Sequence, residues 1–139
     1  MSTPAAAPRT SRPEFRNIHV SQIVRYRMPA PALVSIMHRV SGAALFLALP
    51  FLLWLFDLSL ISETTYERLA AVAANGFVKL VLLFLIWALL HHLVAGVRYL
   101  VLDLLVGLER EQARRNAIAV YAVSLPLTVL AALKLYGAF

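Results

Sequence analysis

The 139-residue sequence contains no cysteine. That excludes disulfides, thiolate zinc sites, iron–sulfur ligation and covalent attachment of a c-type haem. Charge is scarce too: 14% of residues are ionisable Asp, Glu, Lys or Arg, where soluble domains carry roughly 25%. Acids are the scarcer sign, 7 against 13 basic residues, for a net charge of +6. A basic balance can signal nucleic acid, but here the arginines flank apolar stretches, and membrane topology accounts for their placement instead. No nucleophile motif, paired carboxylate or phosphate-cradling loop stands out, so no residue is expected to be catalytic in this chain by itself.

What the sequence does have is apolar length. It is 61% hydrophobic, with a mean hydropathy of +0.78. Three windows hold no ionised residue: 40–56, 80–97 and 116–133, of 17, 18 and 18 residues. At a rise of about 1.5 Å per residue, each covers most of a hydrocarbon core roughly 30 Å thick. Flanking Arg, Lys and Asp side chains snorkel to complete the span. The fold class expected is all-α, an integral membrane protein with three transmembrane helices.

Two regions follow. Residues 1–31 are expected to form a flexible tail, rich in Ala, Pro, Ser and Thr, followed by an interfacial segment in which apolar residues alternate with Arg16, Arg25 and Arg27. The early arginines are not followed closely by an apolar stretch, which argues against a signal peptide. Residues 32–139 are expected to form the membrane domain, with spans at about 32–60, 77–105 and 117–136. Pro50 and Pro126 are candidate kinks. Thr64 and Glu67 are candidates for the capping box of a short surface helix, Gly107 for the end of the second span, and 108–116 for a charged turn. Five arginines precede the first span, one lies in the 62–76 connection and three in the second turn. Basic loops stay on the cytoplasmic or matrix side, so the N-terminus and second turn are expected there.

Polar groups at membrane depth are costly and mark function. The second span holds His91 and His92 near its middle, pointing about 100° apart. His92 shares a stripe with Gly96, Tyr99 and Asp103, and His91 shares one with Arg98. From the residues alone His92 has two readings. A neutral imidazole suits haem iron, and a glycine one turn on leaves room for a flat macrocycle; equally, the imidazole bonds to a neighbouring helix and Gly96 serves close packing. The first span offers Ser35, His38 and Arg39 at i, i+3 and i+4. Arg39 sits about 10 Å inside the cytoplasmic end and His92 about 16 Å, by helix rise. Arg39 could meet a haem propionate, could hold a quinone carbonyl together with Ser35, or could snorkel while Ser35 bonds to its own helix. His19 carries no specific role. Tyr66, Tyr121 and Tyr136 read as interface anchors, and Trp87 is deep enough to pack on a macrocycle.

Two motifs resemble a known family. Ser35-Ile36-Met37-His38-Arg39-Val40-Ser41-Gly42 resembles the S-x-x-H-R-x-[ST]-G signature of the cytochrome b membrane-anchor subunit of succinate dehydrogenase, respiratory complex II. The stretch from His92 to Asp103, with Gly96, Val97 and Arg98, resembles that family's H-x-x-x-G-[IV]-R-H-x-x-x-D. Arg12-Pro13 resembles its start, and the resemblance spans roughly residues 12–138. Tyr99 stands where the family usually has His, and Glu14 replaces an apolar residue after Arg12-Pro13.

The resemblance implies that His92 is one axial ligand of haem b, with a second small anchor subunit giving the other. It places His38 and Arg39 near the propionates, and Ser35 and Arg39 beside the ubiquinone pocket. It implies FAD in a flavoprotein subunit and iron–sulfur clusters in an iron–sulfur subunit. This chain would then be a non-flavin subunit of succinate:quinone oxidoreductase in an inner membrane, cell or mitochondrial, with room for a higher oligomer of the complex. Competing readings are a haem-free or fumarate-reductase-type anchor of the same build, a purely structural assembly protein, and a small membrane transporter component. The last expects acids at membrane depth, and the three windows have none.

Overall fold

The computed structural model describes residues 18–137. The expected tail over 1–14, Arg12-Pro13 and Glu14 lie outside the described residues. The described chain is helical, in the order α1 (Val20–Arg25), α2 (Ala30–Ile61), α3 (Glu63–Ala73), α4 (Gly76–Asp103) and α5 (Arg110–Leu135). Of these, α2, α4 and α5 are long and apolar enough to cross a membrane. Their 32, 28 and 26 residues give lengths of about 48, 42 and 39 Å, each exceeding the hydrocarbon core.

The element ends follow local chemistry. Short α1 begins at His19, whose ring Nδ1 accepts from the Ser21 amide while Gln22 Oε1 accepts from the His19 amide. This reciprocal cap corrects the reading of His19 as a residue without a role. Helix α2 starts behind Pro29, with Pro31 in its first turn where a missing N–H costs nothing. Both α2 and α5 continue through Pro50 and Pro126. Ser62 ends α2 and caps α3, its Oγ accepting from the Thr65 amide at 3.2 Å. The expected surface helix is therefore present, but Ser62 rather than Thr64 caps it. Asn75 caps α4 by accepting from the Phe77 amide at 2.9 Å.

Two expectations at the second turn need correction. Helix α4 ends at Asp103 and the left-handed position after it is taken by Leu105, φ +61°, before Gly107 adopts φ +78°. The segment 110–116 is helix, not turn: with no Gly or Pro between Gly107 and Ala117, the charged residues extend α5 by two turns. Span three is thus α5 from Arg110, with its charged end beyond the apolar window.

Helix α4 is central and packs against both α2 and α5. The interior seam is Val34 and Ser41 from α2, Ala88, His91, Ala95 and Arg98 from α4, and Ala117, Val120 and Ser124 from α5. The α4 spacing of 3, 4 and 3 is one helical face. Small side chains dominate it, as they do where helices approach closely in lipid and no hydrophobic drive separates protein from solvent. Large apolar residues such as Phe46, Leu47 and Leu100 point outward, the face that lipid or other subunits cover.

Candidate functional site

The two adjacent histidines of α4 go to different places. His91 falls on the interior seam and is fully buried, its ring between Trp87 and Tyr121 with both centroid separations 5.5 Å. Its own chain encloses it. His92, one residue and about 100° further round, faces α2 and is only half-buried. Trp87 packs on His91, and one sequence expectation is corrected: Tyr121 packs on the core beside His91 instead of anchoring the interface.

His92 is held by two residues of α2, His38 and Ser41. Its ring stacks on that of His38 with centroids 4.1 Å apart and planes within 9°. Its Nδ1 lies 3.1 Å from the His38 carbonyl oxygen and 3.4 Å from Ser41 Oγ. A carbonyl oxygen only accepts, so the network assigns the ring proton to Nδ1. The Ser41 hydroxyl donates to the same His38 carbonyl at 2.9 Å, which leaves its lone pair for the imidazole. Nε2 then carries the ring's free lone pair and makes no hydrogen bond among the described residues. An imidazole with Nδ1–H on a backbone carbonyl and Nε2 free is the arrangement in which histidine ligates metal.

Gly42 makes the arrangement fit. A Cβ there would stand 2.8 Å from His92 Cε1 and 3.2 Å from its Nδ1, well inside normal contact. At Gly96 a Cβ would meet only His38 Nε2, at an ordinary 3.7 Å. The glycine that His92 needs is therefore on the opposite helix, while a side chain at Gly96, one turn along the His92 stripe, would rest in ordinary contact with His38.

The remaining candidates differ in setting. Ser35 is half-buried and makes no hydrogen bond among the described residues, in contrast to Ser41, Ser59 and Thr128, which bond back to their own helices. Arg39, one turn on, is exposed and has no ion pair or hydrogen bond among the described residues. Together they leave a hydroxyl and a guanidinium free on the N-terminal third of α2. His38 bridges inward: its ring is 4.1 Å from that of His92 and 5.1 Å from that of Tyr99. Arg98, only 9% exposed, sends a guanidinium nitrogen to the Ala113 carbonyl at 3.4 Å and sits 5.3 Å over the Tyr99 ring. Sequence reasoning placed His38 and His92 on separate helices without pairing them, and it missed Gly42 and Ser41 as supports.

No group of three His, Cys, Asp or Glu side chains among the described residues could hold a bare metal ion. One imidazole suffices for a metal already held in a macrocycle. A groove of about 780 Å³ between α2, α3 and α4, lined by residues such as Phe51, Leu55, Leu82 and Lys79, contains no residue of the His92 cluster.

Comparison with known proteins gives the same direction. The family described as succinate dehydrogenase/fumarate reductase transmembrane subunit matches residues 14–131. The succinate dehydrogenase cytochrome b556 subunit of Coxiella burnetii is 34% identical over 110 residues, covering 78% of this chain and 88% of that protein. The protein of the same name from Paracoccus denitrificans is 35% identical over 105 residues, covering 76% and 81%. That from Rickettsia bellii is 30% identical over 105 residues, covering 76% and 82%.

Proposed function

The chain belongs to the succinate dehydrogenase/fumarate reductase transmembrane-subunit family, and we propose that within such a complex it carries one axial ligand of a b-type haem, His92, and one wall of the quinone-reduction site, Ser35 and Arg39. It is a multi-pass membrane anchor subunit of succinate dehydrogenase. The observation that carries the haem assignment is the His92 Nδ1 contact with the His38 carbonyl, because it orients the ring and leaves Nε2 with its lone pair free. When bound there, the haem supplies a one-electron store beside the quinone. His38 would hold the ligand ring by stacking, and Gly42 would keep α2 out of its way. The rest of the haem's ligation and enclosure would fall to a second small anchor subunit, since three helices offer too little surface to surround a macrocycle.

The remaining partners are a flavoprotein subunit with FAD and an iron–sulfur subunit, which bring electrons from succinate to the cytoplasmic or matrix side of an inner membrane. Reduction of ubiquinone, or another quinone, builds negative charge on its oxygens before protons arrive. A cation and a hydroxyl donor at low dielectric stabilise that charge. Arg39 and Ser35 are polar and free of other partners among the described residues. The names of the relatives favour succinate oxidation over fumarate reduction as the working direction.

The test is a split in acceptors. In the purified complex, Arg39→Leu should lower quinone reduction by about 10²-fold and leave succinate oxidation with an artificial acceptor at the wild-type rate. Unchanged quinone reduction would remove Arg39 from the site.

A further inference from the structure

The interior of the bundle holds polar atoms that the haem and quinone reading does not use. His91 Nδ1 and Nε2, Arg98 Nε and the Tyr99 hydroxyl are all buried and have no hydrogen-bond partner among the described residues. His91 is fully buried and Arg98 is 9% exposed. The Val34 carbonyl is near enough to the His91 ring to interact with it, but no hydrogen bond of acceptable geometry forms.

These groups are neighbours. Tyr99 and Tyr121 pack against one core cluster that includes Val34, Ala95 and Ala117. The Tyr121 ring lies 5.5 Å from that of His91. Arg98 lies over the Tyr99 ring. Where larger residues would fill the layer between His91 and Tyr99, there are two fully buried alanines, Ala95 and Ala117.

We propose that His91, Arg98 and Tyr99 enclose a buried hydration site, in which ordered water bridges the His91 imidazole, the Tyr99 hydroxyl and Arg98 Nε. Leaving each of these groups unpaired at membrane depth is costly, because nothing replaces the hydrogen bonds each would make in water. Buried water is held by two to four polar partners, and this layer supplies at least three, with the Val34 carbonyl beside them. The donor and acceptor inventory also balances. Neutral imidazole gives one of each, phenol gives one and accepts, and guanidinium Nε–H donates. A phenol with bound water both donates and accepts beside His38, as an imidazole in its place would. His91 and Arg98 face α5, through Tyr121 and the Ala113 carbonyl, while the Tyr99 ring, 5.1 Å from that of His38, joins the site to the edge of the His92 cluster.

The test uses the intact complex and does not depend on haem or quinone. Tyr99→Phe removes one oxygen that has no protein partner. If that oxygen is solvated inside the bundle, the variant melts at a lower temperature than wild type; if it is an unpaired group in a dry core, the variant melts at the same or a higher temperature, and the proposal fails. His91→Gln, which retains a donor and an acceptor, should melt near wild type, and His91→Leu below it. Equal melting of the two overturns the role of His91. Combining Tyr99→Phe with His91→Leu should lower the melting temperature by less than the sum of the single changes, and strict additivity overturns a shared site. Infrared difference spectra in water labelled with oxygen-18 should show an internal-water O–H band in wild type that Tyr99→Phe removes. Its absence in wild type, or its persistence in the variant, contradicts the proposal.

Discussion

Gly42→Ala adds one methyl group on the helix facing His92. The new carbon would lie 2.8 Å from His92 Cε1, 3.2 Å from Nδ1 and 3.8 Å from Nε2. Carbon atoms rest at about 3.5–4.0 Å, so the ring must retreat by roughly 0.7–1 Å. The ring is fixed by a 3.1 Å bond from Nδ1 to the His38 carbonyl and by its stack on His38. A retreat of that size takes the bond past hydrogen-bonding range. Losing such an orienting bond at a metal-ligating histidine weakens metal affinity by about 10- to 100-fold. The assay is the ratio of haem to flavin in the purified complex, by pyridine haemochrome, with assembly checked on a native gel. Gly42→Ala should assemble and lose most of its haem on dilution. Gly96→Ala makes only an ordinary 3.7 Å contact with His38, so it tests the opening beside the ligand and not the ligand's seat; it should leave the His38–His92 stack in place. Full haem occupancy with an unshifted spectrum in Gly42→Ala would refute the reasoning, because the ring would then not be where α2 confines it.

The other predictions concern the support of His92 and the topology. Ser41→Ala removes the weaker 3.4 Å contact to Nδ1 but keeps the 3.1 Å carbonyl bond; it should lower haem affinity by less than tenfold, measured by the same haem-to-flavin ratio, and a loss equal to that of Gly42→Ala would mean that the hydroxyl and not the carbonyl orients the ring. Single cysteines at Arg110 and at Tyr66, introduced into a chain without any, should react with an impermeant thiol reagent from opposite sides, Arg110 from the cytoplasmic or matrix side. Labelling of both from one side would break the orientation drawn from the basic loops.

Much of the architecture was legible in the sequence, for a physical reason. Ionised groups cannot sit in hydrocarbon, so three charge-free windows located α2, α4 and α5 without any packing information. Boundaries were harder. The start of α5 was misplaced by seven residues because Arg110, Glu111, Arg114 and Arg115 mark the edge of the membrane and not the end of the helix. Leu105 in a left-handed conformation has no local signal, since the turn geometry imposes it against its own preference. The α4 seam was half legible: a 100° step separates His91 from His92, but only the packing of α2 and α5 decides which one is enclosed. The role of Gly42 was not legible at all. It depends on a contact 50 residues away in sequence, between Gly42 and His92, and no local pattern encodes that distance. Ser41 was missed for the same reason, its bond to His92 joining positions 51 apart.

The central claim is that His92, and not its buried neighbour, presents an imidazole to haem iron. The most direct measurement is the dithionite-reduced minus oxidised absorption spectrum of the purified complex, recorded for wild type and for His92→Ala at matched flavin content. The account predicts a b-type signal in wild type that is lost or shifted in an assembled His92→Ala complex. An unchanged b-type signal in that assembled variant would contradict it.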